Sequence, residues 1–286
     1  MTAVRRLGHH LVGDVGDRRV FQFRYPSYGE IAMRIAVAGG TGMVGKYVVE
    51  AITGAGHDAV VLSRSRGVDL RTDAGVAHAL NGVEVIIDAA NPDSITEAKA
   101  TAFFTDVTTR LQSVGSAQGV SRLVTLSIVG IDRVPGYGYY GAKLAQEAAA
   151  TAGPVPVTIV RATQFHEFPA QILGRARFGP LAAMPVMRVQ PVAARAVGQC
   201  LMEAAIEPPE DQLIEVAGPQ PEDLVIMARR LVRTLDRRIA VLPIFVPGRG
   251  GRAMRGGQLL ATPTTTLVGP TFADWLISDD AHTVEL

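Results

Sequence analysis

"MRIAVAGGTGMVGKYVVEA", residues 33–51, decides the fold. A continuous apolar run from Ile35 to Ala38 meets a cluster of glycines, and a helical pattern follows at once. An unbroken apolar run is what a parallel strand needs, because helices cover both faces of its sheet. The glycines at 39, 42 and 45 have separate duties. Gly39 permits the tight turn out of the strand. Gly42 admits a pyrophosphate with no Cβ in the way, and Gly45 lets the helix lie close to the sheet. Free amides and the positive end of the helix dipole then hold phosphate. In this strand–turn–helix setting the loop Gly39, Gly40, Thr41, Gly42, Met43, Val44 and Gly45 predicts a bound dinucleotide.

The same rhythm runs outward from that stretch. "VGKYVVEAITGAG" is a helix closed by glycine, and "DAVVLSRS" (58–65) is a second strand. "GVDL" (67–70) reads as a short third strand, and "TDAGVAHALNG" (72–82) as a helix capped by Thr72 or Asp73. "VEVIIDAANP" (83–92), "SRLVTLSIVG" (121–130) and "PVTIVRAT" (156–163) are further strands. Helices are expected between them, from residue 96 to about 117 and over "YYGAKLAQEAAATAG" (139–153). The alternation predicts an α/β, Rossmann-like doubly wound parallel sheet.

Beyond about residue 165 the rhythm loosens. "PVMRVQP" (185–191), "LIEVAGP" (213–219) and "IAVLPIFVPG" (239–248) read as short strands, with helices beginning near 192, 222 and 252. The expected division is an NAD(P)-binding core over 33–165 and a smaller C-terminal substrate lobe over 166–286, interleaved with the core. Residues 1–32 keep neither helical nor strand periodicity. They read as a disordered extension, or as the product of an upstream start with Met33 as the true beginning. His9-His10 has no further ligands at metal-binding spacing, and no metal is expected.

The 286 residues are 48% hydrophobic and 19% charged, as in an ordinary soluble globule. A net charge of +1 gives no reason to expect nucleic acid or an anionic membrane as partner. A cytoplasmic monomer or homodimer acting on a small molecule is expected. The lone Cys200 rules out an internal disulfide, and its helical surroundings make it a small buried apolar group.

The second strand ends "LSRSR", without the carboxylate that would bind a ribose 2′-hydroxyl. Arg64 can fork onto a 2′-phosphate instead, so NADP (NADPH) is the expected cofactor, solvated loop arginines being the alternative. Asp69 is either an acceptor for the adenine amino group or a turn residue. Tyr139 and Lys143 stand four apart on a predicted helix and share a face. An ammonium beside the phenol would lower its pKa from about 10 and fit it for proton transfer. Ser127, at the end of the strand over 121–130, can donate to the same oxygen. Tyr140 and Tyr137 compete with Tyr139, and for Lys143 the alternative is a surface pair with Glu147.

From Met33 to about residue 280 the chain resembles the short-chain dehydrogenase/reductase superfamily in its atypical, NmrA-like branch. The residues carrying the likeness are "GGTGMVG", "LSRS", "DAAN" (88–91), "LSIVGID", "YYGAKLAQE" and "VTIVRATQFHEF". The resemblance implies that Ala89, Ala90 and Asn91 line the cofactor groove and that Ser127, Tyr139 and Lys143 form the proton relay. Many relatives complete the relay with a helical asparagine; here that stretch is "FTDVTTRL", with Thr105 or Asp106. Gln164, Phe165 and His166 are second-tier substrate candidates. The expected function is an NADP-dependent oxidoreductase moving hydride to or from a small carbonyl or quinone-like compound. A non-catalytic NADP sensor of the NmrA type and an epimerase or dehydratase with tightly bound cofactor are the alternatives.

Overall fold

The computed structural model describes residues 32–73, 75–94 and 96–286, so the expectations for the first 31 residues, His9-His10 included, lie outside the described residues. The first half alternates strand and helix: β1 (Arg34–Ala38), α1 (Gly45–Gly54), β2 (Asp58–Leu62), α2 (Val76–Ala79), β3 (Val85–Asp88), α3 (Glu97–Ala117), β4 (Arg122–Ile128), α4 (Gly138–Ala152) and β5 (Val157–Ala162). Then follow α5 (Phe168–Arg175), β6 (Arg177–Phe178), β7 (Leu181–Pro185), β8 (Arg188–Val189), α6 (Ala194–Ile206), β9 (Leu213–Ala217), β10 (Glu222–Asp223) and α7 (Leu224–Thr234). The chain ends with β11 (Ala240–Ile244), α8 (Gly248–Arg255), β12 (Thr266–Leu267), α9 (Phe272–Leu276) and α10 (Asp279–His282).

Seven strands form one sheet in the order β2-β1-β3-β4-β5-β9-β12, and every neighbouring pair is parallel. Helices α3 and α4 pack together on one face, α1 and α6 on the other. Ile35, Val37, Val85 and Ile87 bury towards α1 and α6; Ala36, Ala38, Ile86 and Leu123 bury towards α3 and α4. That two-sided burial is why these strands read as unbroken apolar runs. The α1–α6 contact is close because Gly198 has no side chain: a Cβ there would lie 2.9 Å from the Tyr47 carbonyl carbon.

Two local expectations fail. "GVDL" is not a strand. Gly67 adopts φ +78°, which ends a short 3-10 turn over Arg64–Arg66, and no residue of 67–70 joins the sheet. Val68 and Leu70 still bury into the core, which is why the stretch reads as strand-like. Helix α2 is a single turn that starts after Gly75, so neither Thr72 nor Asp73 caps it. Asp73 instead accepts from Arg110 Nε at 2.8 Å.

The later strands divide among three sheets. "LIEVAGP" supplies β9, the sixth strand of the main sheet, and β12 closes its edge. Strands β6, β7 and β11 form a separate three-stranded sheet, and β8 pairs with β10. No helix among the described residues is long and apolar enough to cross a membrane.

Candidate active site

Strand β1 lies between β2 and β3, so the chain leaves it in opposite directions. Such a switch point opens a crevice at the carboxyl ends of the strands. The glycine loop enters there from β1, and Ala89, Ala90 and Asn91 enter from β3. The two loops touch: a Cβ on Gly39, whose φ is +73°, would come within 2.8 Å of Ala90 Cα. A Cβ on Gly45 would collide with the Gly39 carbonyl oxygen, so only glycine lets α1 start this close to the loop. Thr41 and Gly42 are exposed, Met43 is half-buried and Val44 is buried. A Cβ at Gly42 would meet only the Gly39 carbonyl, so the backbone there is open to a ligand. Met43 Sδ accepts from Gln171 Nε2 at 2.7 Å, which ties the loop to α5.

Arg64 follows β2 and is exposed, with its guanidinium 3.7 Å from the carboxylate of Asp93. Asp69 behaves as a turn residue: its Oδ1 accepts from the Arg71 amide at 2.9 Å. These residues fit a dinucleotide. An open glycine backbone precedes the start of a helix, and an exposed guanidinium follows the second strand.

Tyr139 sits in the first turn of α4. Its hydroxyl donates to Asn91 Oδ1 at 2.6 Å, and its ring packs edge-on against Phe104. Burial pushes its pKa up to about 12, and the charge that most opposes that rise is Arg175 at the end of α5. Here the geometry corrects the sequence reading, which places the Lys143 ammonium beside the phenol. Lys143 is buried against β4 instead. Its Nζ donates to the Leu126 carbonyl at 2.6 Å and to Gln146 Oε1 at 2.5 Å, and it lies over the Phe104 ring. Desolvation lowers its pKa to about 8, with Asp88 and Glu147 opposing the fall.

Gln146 also donates to Asp88 Oδ2 at 2.9 Å, so one amide bridges ammonium and carboxylate. Asp88 has no exposure and accepts further bonds from Thr108 and the Ala90 amide. Burial raises its carboxyl, while Lys143 and these donors hold it down. Glu147 does not form a surface pair with Lys143. Arg161 of β5 takes it bidentately, at 2.9 and 2.7 Å.

Ser127 is buried near the end of β4, and its hydroxyl has no hydrogen-bond partner among the described residues. Among those residues, no hydrogen bond joins Ser127, Tyr139 and Lys143. The relay position on α3 is corrected as well. Asp106 is exposed and, with Thr105, lines a groove shared with Asp73 and Arg110 on the outer side of the helix. Phe104 and Thr108, one turn apart, face the Lys143–Asp88 cluster.

The second-tier candidates separate. Gln164 is buried with both amide atoms unpartnered among the described residues, and Phe165 is half-buried beside Val192. His166 is buried. It packs against Phe272 and Trp275, its Nε2 meets the Pro270 carbonyl at 3.1 Å, and burial lowers its pKa to about 4. Cys200 is buried, and desolvation raises its thiol far above the usual range. A cleft of about 440 Å³ opens beside Tyr137, walled by Pro135, Gly136 and the segment 246–251.

Residues 35–131 match the model of the NAD dependent epimerase/dehydratase family. A short-chain dehydrogenase/reductase superfamily protein from Agrobacterium tumefaciens with bound NAD superposes with a TM-score of 0.62 at 16% identity, over 87% of this chain and 96% of that one. The chain has the fold of an atypical short-chain dehydrogenase/reductase. UDP-N-acetylglucosamine 4-epimerase from Bacillus cereus shares this reductase fold, with a TM-score of 0.62 and 16% identity over 88% of this chain and 96% of that one. So does an NADPH-dependent quinone oxidoreductase from Escherichia coli, with a TM-score of 0.59 and 15% identity over 85% and 98%. No curated protein matches the sequence. Within the reductase fold, sequence reasoning misses Asp88, Gln146, Phe104 and Arg175. Only Asp88, a carboxylate ending a wholly apolar strand, leaves a signal there.

Proposed function

We propose that the protein is an NADP-dependent oxidoreductase that reduces a small carbonyl or quinone-like compound. The observation that carries this reading is the hydrogen bond from Tyr139 Oη to Asn91 Oδ1. It holds a protonated phenol at the crevice edge, close to the cleft beside Tyr137. A phenol with a pKa near 12 is a poor resting base but a competent acid towards a forming alkoxide. In reduction the substrate oxygen takes the proton from Tyr139 as its carbon gains hydride. Arg175 stabilises the phenolate left behind, and solvent reprotonates it. The glycine loop, Arg64, Ala89, Ala90 and Asn91 would hold the cofactor, which when bound supplies the hydride. Ser127 and Gln164, buried without partners among the described residues, are the donors free to turn towards a ligand.

The test is NADPH oxidation against a panel of quinones and small aldehydes. Tyr139→Phe is expected to cut turnover roughly a hundredfold or more while leaving NADPH affinity almost unchanged. Tyr140→Phe is the control: that ring is turned into the core. If Tyr139→Phe turns over normally, the assignment is wrong.

One observation favours the sensor reading: the Lys143 ammonium is committed to Leu126 and Gln146 rather than to the phenol. A sensor would bind NADPH and oxidise it with no member of the panel. An epimerase or dehydratase would convert its substrate with no net loss of NADPH.

A further inference from the structure

The sheet formed by β6, β7 and β11 carries apolar residues on both faces, although only one of them is covered by other described residues. Pairing sets Phe178 beside Leu181, Ala183 beside Leu242 and Pro185 beside Ile244. Paired residues share a face. That face carries no polar side chain, and Phe178, Leu181, Leu242 and Ile244 on it are exposed. The opposite face turns Ala182, Met184 and Val241 into the core. A half-covered sheet ordinarily alternates apolar inside with polar outside. Phe178, at the hairpin turn, is 78% exposed, and Phe245, just past β11, is 71% exposed. Contiguous apolar surface of this kind marks an interaction site.

The surrounding charge identifies the occupant. The whole chain carries +1, but residues 229–255 hold eight arginines and one acidic residue, Asp236. Arg237 and Arg238 lead into β11, and Arg249 and Arg252 follow it in α8. All four are exposed, and among the described residues none has a carboxylate within 4.0 Å. Arg255 stacks its guanidinium over the Phe245 ring. A second copy docked face to face would set this arginine rim against its own image, which is repulsive. An anionic bilayer accepts both features: the aromatic and aliphatic side chains enter the interface, and the arginines meet the headgroups.

We propose that this face docks the protein reversibly onto an anionic lipid bilayer. The overall charge of +1, from which no membrane partner is expected, averages away the asymmetry that makes the face basic. Docking also sets the cleft beside the lipid, because Val246 and Pro247 of its wall follow directly on Phe245.

The test is sedimentation of the full chain with two kinds of vesicle, phosphatidylcholine alone and equimolar phosphatidylcholine and phosphatidylglycerol. Binding is expected only to the second, weakening as salt is added. Phe178→Ser together with Phe245→Ser is expected to weaken it roughly tenfold or more, with thermal unfolding unchanged because both rings lie outside the core. Arg237→Ala with Arg238→Ala should weaken it roughly twentyfold. Equal binding to both vesicles, binding indifferent to these variants, or none at all would overturn the proposal. So would a dimer, seen by light scattering, that Phe245→Ser dissolves, since a second copy would then own the face.

Discussion

Lys143 shows how a residue's surroundings settle what its type leaves open. Spacing alone puts it on the face of Tyr139, as in a proton relay, but its ammonium ends in a buried cluster with Gln146 and Asp88. Removing one partner of a buried charge pair leaves the other uncompensated, at a cost of about 3 kcal/mol or more. Lys143→Met is therefore expected to lower the unfolding free energy by about that amount in a urea titration. Tyr139→Phe, which loses one edge-placed hydrogen bond, should cost about 1 kcal/mol. Equal and small losses would mean that Lys143 is not part of the scaffold. Arg64 poses the converse case, since its only ion pair among the described residues is the exposed one with Asp93. Arg64→Ala should leave stability unchanged and weaken NADPH about tenfold relative to NADH in a fluorescence titration, since a fork onto the 2′-phosphate is the one contact NADH cannot make. If both cofactors weaken alike, or neither does, Arg64 does not read the 2′-phosphate.

At the scale of elements, Glu167 joins helices that the sequence keeps far apart. It sits at the start of α5, buried, near Lys46 of α1, the Ala194 amide that opens α6, and Asp280 of α10. Neither carboxylate oxygen makes a well-formed hydrogen bond among the described residues, so the Ala194 amide offsets burial only in part. The carboxyl is pushed from 4.5 up to about 7, and the folded state thus holds this proton more tightly than the unfolded chain. Its contribution to stability is full below about pH 4.5 and is lost as pH rises through about 7. Glu167→Gln has no proton to lose. Relative to wild type, the variant should gain on the order of 2–3 kcal/mol between about pH 5 and pH 8 in urea unfolding. A difference that stays constant with pH would refute the shift. Elements such as β1, α1, α3 and α4 were legible because their signals are local: apolar runs, a glycine turn, a helical period. The glycine loop and the helix that carries Tyr139 were legible for the same reason, whereas Asn91 came only from the family resemblance. What escaped depends on distant partners. The short strand expected at 67–70 failed on one left-handed glycine, α5 was missed behind Pro169 in its first turn, and Arg175 reaches Tyr139 only through the fold.

The molecule as a whole is not laid down in one pass. Five strands of the main sheet are complete by Ala162; β9 joins through Leu213–Ala217 and β12 only through Thr266–Leu267. The segment that follows then fastens two distant regions. Phe272 and Trp275 close over His166, and Asp280 takes Arg195 bidentately while Arg195 also reaches Glu50 of α1. Non-local closure of this kind is the slow part of folding. Until residues 266–282 have folded back onto the lobe, His166 and the edge of β9 stay uncovered. Docking of this late segment, rather than assembly of the first five strands, is then the step that finishes the lobe. A chain cut short after residue 261 should be cleaved readily by a protease that spares the chain carrying residues 262–286. Equal resistance of the two chains would show that the earlier strands hold the lobe shut without residues 262–286.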